Sequence, residues 1–205
     1  MTIGIFGGTF NPIHIGHLVI AQEVGRQLHF SKVLFVPAKI PPHKAHLGAS
    51  EQERYEMVEL AISDNPFFRA SRVELDRDKI SYTIDTIEIL KKECGERLAF
   101  IIGSDNLLEI TKWHRWITLL EECELAIGER PGFGPEVIGQ IESLVGRELA
   151  MHFERNFVKI PFANISSSEI RERYAQGIPV KYLVPDVVDR YIVAHRLYSL
   201  ASDGA

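Results

Sequence analysis

The stretch that decides the fold is Gly4-Ile5-Phe6-Gly7-Gly8-Thr9-Phe10-Asn11-Pro12-Ile13-His14-Ile15-Gly16-His17. It opens with a short apolar run that predicts a β-strand, and this run breaks at two glycines. After the Thr-Phe-Asn-Pro turn, apolar residues recur at helical spacing to about Leu28. A second apolar run, Val33–Val36, ends at Pro37. Strand, helix and strand in this order predict a right-handed parallel unit.

Gly7 and Gly8 leave the backbone open where the first strand ends. Backbone without side chains, followed by the unpaired N–H groups of a helix start, predicts a site for a phosphate chain. His14 and His17 are three residues apart, so they share a helix face and each offers a hydrogen-bond donor to a phosphate. Two such histidines also fit a metal pair or surface residues without a task, and a Gly-Gly turn alone is common. Their occurrence in one short stretch is what favours the phosphate interpretation.

The composition is that of an ordinary soluble protein, with 45% apolar and 25% charged residues. A length of 205 residues suits one α/β domain and is short for two. The formal net charge of -5 argues against a general nucleic-acid binder, because such proteins neutralise phosphates with a basic face. No apolar run is long enough to span a membrane, and no secretory pattern opens the chain. We therefore expect a cytoplasmic protein.

Strands and helices alternate along the rest of the chain. Further strands are predicted at Phe67–Leu75, Leu98–Ile102, Glu124–Gly128 and Val158–Phe162, and further helices at Ser50–Ser63, from Ser81 onward, at Pro135–Val145 and at Pro185–Leu197. With no linker and no internal repeat, this alternation predicts one domain over residues 1–205. The fold class is α/β, a Rossmann-like doubly wound parallel sheet with helices on both faces. Ligands of such sheets bind at the carboxyl ends of the strands.

Polar residues follow several of the predicted strands. Lys39 and Lys44 come after the second strand, in a loop rich in proline; incidental solvated lysines are the alternative there, but the position beside the first loop favours a phosphate contact. Asp105 follows Leu98–Ile102, and its carboxylate suits a ribose hydroxyl or a bound cation. Trp113 comes shortly afterwards and carries a ring that stacks on planar bases, although tryptophans more often pack in a core.

A second distinctive motif is Ile165-Ser166-Ser167-Ser168-Glu169-Ile170-Arg171. Its serines suit a helix start with hydroxyls and amides to spare for an anion, and Arg171, one turn further on, adds a planar cationic fork. A plain capping box is the alternative interpretation. We expect this motif to open a C-terminal helical segment over about 166–198.

Together, the motifs at 7–17 and 165–171 resemble the nucleotidyltransferase superfamily that shares a His-x-Gly-His signature with class I aminoacyl-tRNA synthetases. Within it, the chain is similar to the bacterial nicotinate-nucleotide adenylyltransferases over nearly its full length. Pro41–Lys44, Ser81–Thr86 and the segment from Gly103 to Trp113 carry the likeness to that family. Phosphopantetheine adenylyltransferases are shorter and lack the first of these motifs.

The resemblance implies transfer of the adenylyl group of ATP to nicotinate mononucleotide, with release of pyrophosphate. The implied ATP-binding residues are Gly7, Gly8, Thr9, Phe10, His14, His17, Ser167, Ser168 and Arg171, of which His14, His17 and Arg171 are catalytic. The implied mononucleotide-binding residues are Lys44, Thr83, Asp105, Trp113 and His114. Mg²⁺ is expected to arrive with ATP, because no carboxylate cluster for a metal held by protein ligands is visible. The expected partners are the two substrates, with neither nucleic acid nor membrane, and a homo-oligomer is left open.

Two positions depart from the family pattern. Asn11 stands where Asp is frequent, and Lys39 replaces a polar amide. Neither change removes a phosphate ligand, and the effect of Lys39 on the choice between nicotinate and nicotinamide is left open by the sequence. Other adenylyl- or cytidylyltransferases and a nucleotide-binding protein without turnover remain alternatives. A tRNA synthetase is disfavoured, because the chain is acidic and has no room for an anticodon-binding domain.

Overall fold

The structure, a computed structural model, describes residues 1–39, 48–77, 81–161 and 164–199. Within these ranges six strands form one sheet: β1 (Thr2–Gly8), β2 (Lys32–Pro37), β3 (Phe68–Ala70), β4 (Arg97–Gly103), β5 (Glu124–Gly128) and β6 (Phe157–Val158). All neighbouring strands are parallel, in the order β3-β2-β1-β4-β5-β6. This confirms the predicted Rossmann-like sheet. The strand order reverses between β1 and β4, which opens a crevice at the carboxyl ends of those two strands.

The helices connect and cover these strands. They are α1 (Ile15–Gln27), α2 (Glu51–Ile62), α3 (Thr83–Cys94), α4 (Ser104–Leu107), α5 (Trp116–Glu122), α6 (Glu136–Val145), α7 (Arg147–Arg155), α8 (Ser167–Ala175) and α9 (Asp186–Ala194), with a 3₁₀ turn at Ile110–Lys112. No helix of the described residues is both long and apolar enough to cross a lipid bilayer.

Helices pack on both faces of the sheet, as predicted. On one face, buried sheet residues such as Phe35 pack against α1, α2, α8 and α9. On the other face, residues such as Ile102 pack against α3, α5, α6 and α7. Successive strand residues point to opposite faces, so the apolar strands supply both cores. The two strands that border the crevice, β1 and β4, are therefore fixed by a hydrophobic core on each face of the sheet.

Two predicted strands are longer than those observed. The strand predicted at Phe67–Leu75 is only Phe68–Ala70, because this edge strand pairs with β2 alone and Pro37 of β2 has no N–H with which to continue the ladder. Beyond it the backbone turns, with the Asp76 amide donating to the Arg72 carbonyl. The strand predicted at Val158–Phe162 is Phe157–Val158, and Phe162 lies outside the described residues. Helices α4, α5 and α7 were not predicted.

Candidate active site

A cavity of about 870 Å³ occupies the crevice at the carboxyl edge of the sheet. Its walls come from four parts of the chain: the connection from β1 to α1 (residues 7–13, called the β1 loop), the end of β2, the start of α3 and the segment that follows β4. Nine of the predicted site residues line it: Gly7, Gly8, Thr9, Phe10, His17, Thr83, Asp105, Trp113 and His114. The topology therefore brings together residues that were predicted separately for the two substrates.

The two glycines are required by tight aromatic packing around the β1 loop. A Cβ at Gly8 would lie 3.1 Å from the Phe10 ring, and a Cβ at Gly7 would lie 3.1 Å from the Phe100 ring. Phe10 itself has a left-handed backbone, with φ of 47°. Its ring is held edge-on by Phe6 and His17. The loop therefore takes its shape from the packing of Phe10, and the two glycines leave room for the rings.

The two histidines stack on one another at the start of α1. Their ring centroids lie 3.6 Å apart, with 24° between the planes. His14 is the N-cap residue and is only 1% exposed, whereas His17 reaches the cavity. A Cβ at Gly16 would lie 3.1 Å from Nδ1 of His14, so glycine leaves room for the buried ring. The prediction that both rings face the cavity therefore holds geometrically only for His17, and His14 lies behind it.

Both imidazoles are neutral near pH 7 in this environment. Burial, followed by the nearby Arg130, lowers the pKa of His14 to about 3. Burial, followed by the neighbouring His14 and Arg130, lowers the pKa of His17 well below its usual value. The backbone N–H of His14 donates to Nδ1 of His17 at 3.3 Å, which assigns the ring proton of neutral His17 to Nε2. His17 is thus an uncharged donor at the cavity wall.

The serine motif of α8 is tied to the β1 loop. The Ser167 hydroxyl donates to the Pro12 carbonyl at 2.9 Å, across 155 residues of sequence. Arg171 donates from Nη1 to the Asn11 carbonyl at 2.8 Å and from Nη2 to the Ser168 hydroxyl at 3.2 Å. The two motifs therefore meet, as predicted. None of these three α8 residues is among the described residues that line the cavity, so they adjoin the β1 loop from outside it.

Asn11, one of the two departures from the family pattern, is 2% exposed. Its side-chain oxygen accepts a hydrogen bond from the Tyr198 hydroxyl at 2.7 Å. Tyr198 is itself 9% exposed and lies just beyond α9. The C-terminal segment therefore supports the β1 loop through the side chain of Asn11.

Arg130 is a cationic residue of the site that the sequence reasoning missed. It follows β5, lines the cavity, and places Nε 3.9 Å from Asp105 Oδ1. Its backbone N–H donates to the hydroxyl of Ser104, which is fully buried and donates in turn to the Phe133 carbonyl. The signal was available, because Arg130 stands at the carboxyl end of a predicted strand, where ligands of parallel sheets bind.

Glu74 is a second missed residue of the cavity wall. It is 9% exposed, and its carboxylate accepts a hydrogen bond from the Thr86 hydroxyl at 2.7 Å. Burial raises the pKa of Glu74 to about 7, against the opposing effects of Thr86, Arg77 and Arg54. No sequence signal marked this residue, because it fell inside the strand predicted at Phe67–Leu75.

Aromatic rings form a further part of the cavity wall. Trp113 closes the 3₁₀ turn and packs edge-on against Phe100, with centroids 5.9 Å apart. His114 lies over the Tyr82 ring at 4.2 Å, and Tyr82 is the N-cap residue of α3. Thr83, the first residue of α3, lies next to this pair. The wall thus combines a helix N-terminus with flat apolar surfaces, which suits a planar ring bearing an anionic group.

Of the two lysines predicted near the phosphates, one is described. Lys39 donates from Nζ to the Arg77 carbonyl at 2.6 Å. Lys44 lies outside the described residues. Across the described part of the chain, no group of three or more His, Cys, Asp or Glu side chains is arranged to hold a metal ion.

Comparison with known proteins identifies the family to which this chain belongs. The family model described as cytidylyltransferase-like matches residues 5–173. A probable nicotinate-nucleotide adenylyltransferase of Carboxydothermus hydrogenoformans is 46% identical over 198 residues, covering 96% of this chain and 97% of that protein. The chain belongs to the nicotinate-nucleotide adenylyltransferases. A second member of the family, the probable enzyme of a Thermoanaerobacter species, is 43% identical over 97% of this chain and 94% of its own.

Solved structures support the fold assignment. The nicotinic acid mononucleotide adenylyltransferase of Plasmodium falciparum, complexed with NaAD, superposes with a TM-score of 0.76. The alignment covers 96% of this chain and 97% of that one, at 20% identity. A structure of the same enzyme complexed with APC gives a TM-score of 0.74. At this level of identity the superposition establishes the shared fold, and the adenylyltransferase family itself rests on the sequence matches.

Proposed function

We propose that this chain transfers the adenylyl group of ATP to nicotinate mononucleotide, giving nicotinate adenine dinucleotide and pyrophosphate. The observation that carries the proposal is that His17, in the first turn of α1, and Trp113 of the aromatic wall line one cavity. A loop suited to a triphosphate and a wall suited to a pyridine ring therefore face the same space, where two nucleotides meet phosphate to phosphate.

The reaction needs charge stabilisation and positioning more than proton transfer. The phosphate of the mononucleotide attacks the α-phosphorus of ATP in line; a new P–O bond forms as the bond to the bridging oxygen of pyrophosphate breaks. The attacking phosphate is already an anion near neutral pH, so the step requires neither a general base nor a nucleophile from the protein. The neutral imidazoles of the site agree with this, since they act as donors rather than as proton carriers.

The ATP side of the crevice is built from both distant motifs. Gly7, Gly8, Thr9 and Phe10 present backbone to the triphosphate, and His17 donates from Nε2 to an oxygen of the transferred phosphate. His14 orients His17 by stacking on it from behind, where Nδ1 of His14 is buried and has no hydrogen-bond partner in the described structure. Ser167, Ser168 and Arg171 hold the β and γ phosphates beside the β1 loop.

The acceptor side uses the aromatic wall. Trp113 stacks on the nicotinate ring, while Thr83 and the backbone near Trp113 and His114 receive its carboxylate. Asp105 binds a ribose hydroxyl, and Lys44 approaches a phosphate. Arg130 adds a cation between the two sides, within reach of both Asp105 and the histidine pair.

Mg²⁺ belongs to this scheme as the ion carried by ATP. Asp105 lines the crevice and offers a carboxylate oxygen, the kind of ligand that Mg²⁺ prefers, while water and phosphate oxygens would supply the rest. When bound, the ion neutralises phosphate charge. We place the reaction in the cytoplasm, with ATP and the mononucleotide as partners.

A panel of acceptors tests the proposal. Purified protein is incubated with ATP, Mg²⁺ and one acceptor at a time: nicotinate mononucleotide, nicotinamide mononucleotide, phosphopantetheine or glycerol phosphate. We expect pyrophosphate release and a dinucleotide product with nicotinate mononucleotide, at a higher kcat/KM than with any other acceptor. Turnover with another acceptor only would assign a different transferase activity. Binding of ATP without release of pyrophosphate in the presence of any of these acceptors would reject catalysis.

A further inference from the structure

Arg54 is a buried cation that the scheme above does not use. It lies in the first turn of α2, is 0% exposed, and is among the largest fully buried side chains of the protein. Burial lowers the pKa of Arg54, although the nearby Glu51 opposes that effect. Arginines are almost never fully buried unless they are paired. Among the described residues Arg54 forms no ion pair, so other groups must compensate its charge.

Two backbone carbonyls provide that compensation. Nη1 of Arg54 donates to the Thr9 carbonyl at 2.7 Å, and Nη2 donates to the Lys39 carbonyl at 3.1 Å. Thr9 follows β1 in the phosphate loop, and Lys39 follows β2. One guanidinium fork therefore joins the two segments that leave neighbouring strands at the edge where the cavity lies. Directly before them, the Ala38 amide donates to the Gly8 carbonyl at 2.9 Å.

The direction of the Thr9 carbonyl matters for an anion site. Thr9 lines the cavity, and its carbonyl is held by Arg54, which is not among the described residues that line it. The C=O and N–H of a trans peptide point in opposite directions, so the same bond turns the Phe10 N–H away from Arg54. A carbonyl dipole facing the loop would repel a phosphate. Phe10 also has a left-handed φ of 47°, a conformation that persists only where the surroundings hold it.

We propose that Arg54 is a positioning residue for adenylyl transfer, which fixes the β1 loop and the residues directly after β2, Ala38 and Lys39, in one arrangement by holding the carbonyls of Thr9 and Lys39. This inference rests on the proposed function. Arg54 touches neither substrate; it sets the loop that receives the triphosphate and the neighbouring segment that closes the same cavity.

Replacement of Arg54 tests the proposal. Arg54→Met has similar length and no donor, and Arg54→Lys keeps the charge but loses the planar fork that spans two carbonyls. The matched control is Arg72→Met, because Arg72 also contacts α2, through Gln52 and the Tyr55 ring, but is partly exposed and lies away from the cavity. For each variant kcat and both KM values are measured well below the thermal midpoint, with the folded fraction determined by circular dichroism.

We expect kcat of folded Arg54→Met to fall by ~10²-fold, the scale of a misplacement of about 1 Å. Arg54→Lys should show a smaller loss, and Arg72→Met should stay within about twofold of the wild type. The KM values of both substrates should change together, because the fork joins both loops. A folded Arg54→Met enzyme with wild-type kcat overturns the inference.

A second measurement serves if Arg54→Met does not fold. Amide hydrogen exchange of Arg54→Lys, followed by mass spectrometry, should be faster in peptides that cover residues 8–11 and 37–39 and unchanged in β4 and β5. Unchanged exchange in both loops, together with unchanged kcat, overturns the inference. The proposed function is judged separately, by turnover of the wild-type protein in the acceptor panel.

Discussion

Glu74→Gln should stabilise this protein at alkaline pH and leave its stability unchanged in acid. Burial raises the pKa of Glu74 from 4.5 to about 7. Between these two values the unfolded chain releases a proton that the folded chain retains. The contribution of Glu74 to stability is therefore fully present below pH 4.5 and is lost as the pH rises through 7. Glutamine has nearly the same shape, stays neutral, and keeps an oxygen that can accept the Thr86 hydroxyl.

The size of the effect follows from the shift. Each pKa unit corresponds to about 1.4 kcal/mol, so ionisation of Glu74 lowers the free energy of unfolding by about 3 kcal/mol at pH 8 relative to pH 4.5. For a chain of this length that difference corresponds to about 7 °C in the melting temperature. Because Glu74 is 9% exposed, solvent screening reduces the figure little.

Urea unfolding of both proteins at several pH values between 4.5 and 8 measures the difference. The gain from Glu74→Gln should grow over this range, whereas the gain or loss from Glu142→Gln, at an exposed position of α6, should not follow it. A pH-independent difference between wild type and Glu74→Gln would refute the reasoning. The same titration predicts that KM for the mononucleotide rises above pH 7 in the wild type only, because the ionised carboxylate then repels an anionic substrate.

Three further predictions concern the crevice. His17→Ala should lower kcat by ~10²-fold with little change in KM for ATP, which is the scale of one lost donor to a developing charge. His17→Gln should lose less, because an amide N–H remains. Unchanged turnover of His17→Ala in the pyrophosphate assay would contradict the assignment. Trp113→Ala should raise KM for the mononucleotide and leave KM for ATP nearly unchanged, and equal effects on both would show that the ring is merely structural. Tyr198→Phe should lower the free energy of unfolding by about 1 kcal/mol, and the melting temperature by about 2 °C, through the lost hydrogen bond to Asn11. An unchanged melting temperature would show that this bond does not stabilise the fold.

Local chemistry made much of the fold predictable. The apolar runs of β1, β2, β4 and β5 are short, continuous and bounded by glycine or proline, and α1 repeats its apolar residues at helical spacing, so their identities follow from pattern alone. The ends of β3 and β6 did not follow, because an edge strand ends where its neighbour offers no further partner. That depends on the position of β2 or β5, which no short window of sequence contains.

The site divides in the same way. The glycine loop, His17 and Asp105 stand at strand ends or helix starts, and Trp113 follows soon after β4, so the rule for parallel sheets brings them together. The roles of Arg54 and Glu74 depend on burial, which the sequence does not show. Only where packing excludes water does Arg54 hold two loops through their carbonyls, and only there does Glu74 stay neutral near pH 7. The stacking of His14 behind His17 did not follow from the sequence, because helical spacing gives the face that two residues share but does not show that one ring covers the other. The role of His14 in binding ATP stays a prediction. Lys44 lies outside the described residues, and its role stays a prediction.

The β1 loop has consequences for how this protein matures during synthesis. Three of its hydrogen bonds come from Ser167, Arg171 and Tyr198, which follow their partners by 155, 160 and 187 residues. During synthesis, the chain must therefore emerge as far as Tyr198 before all three bonds to the β1 loop can form, long after the neighbouring strands have emerged. Nascent chains cut short before Ser167 lack all three bonds, so a translation that stops early yields a sheet whose nucleotide loop is unsupported.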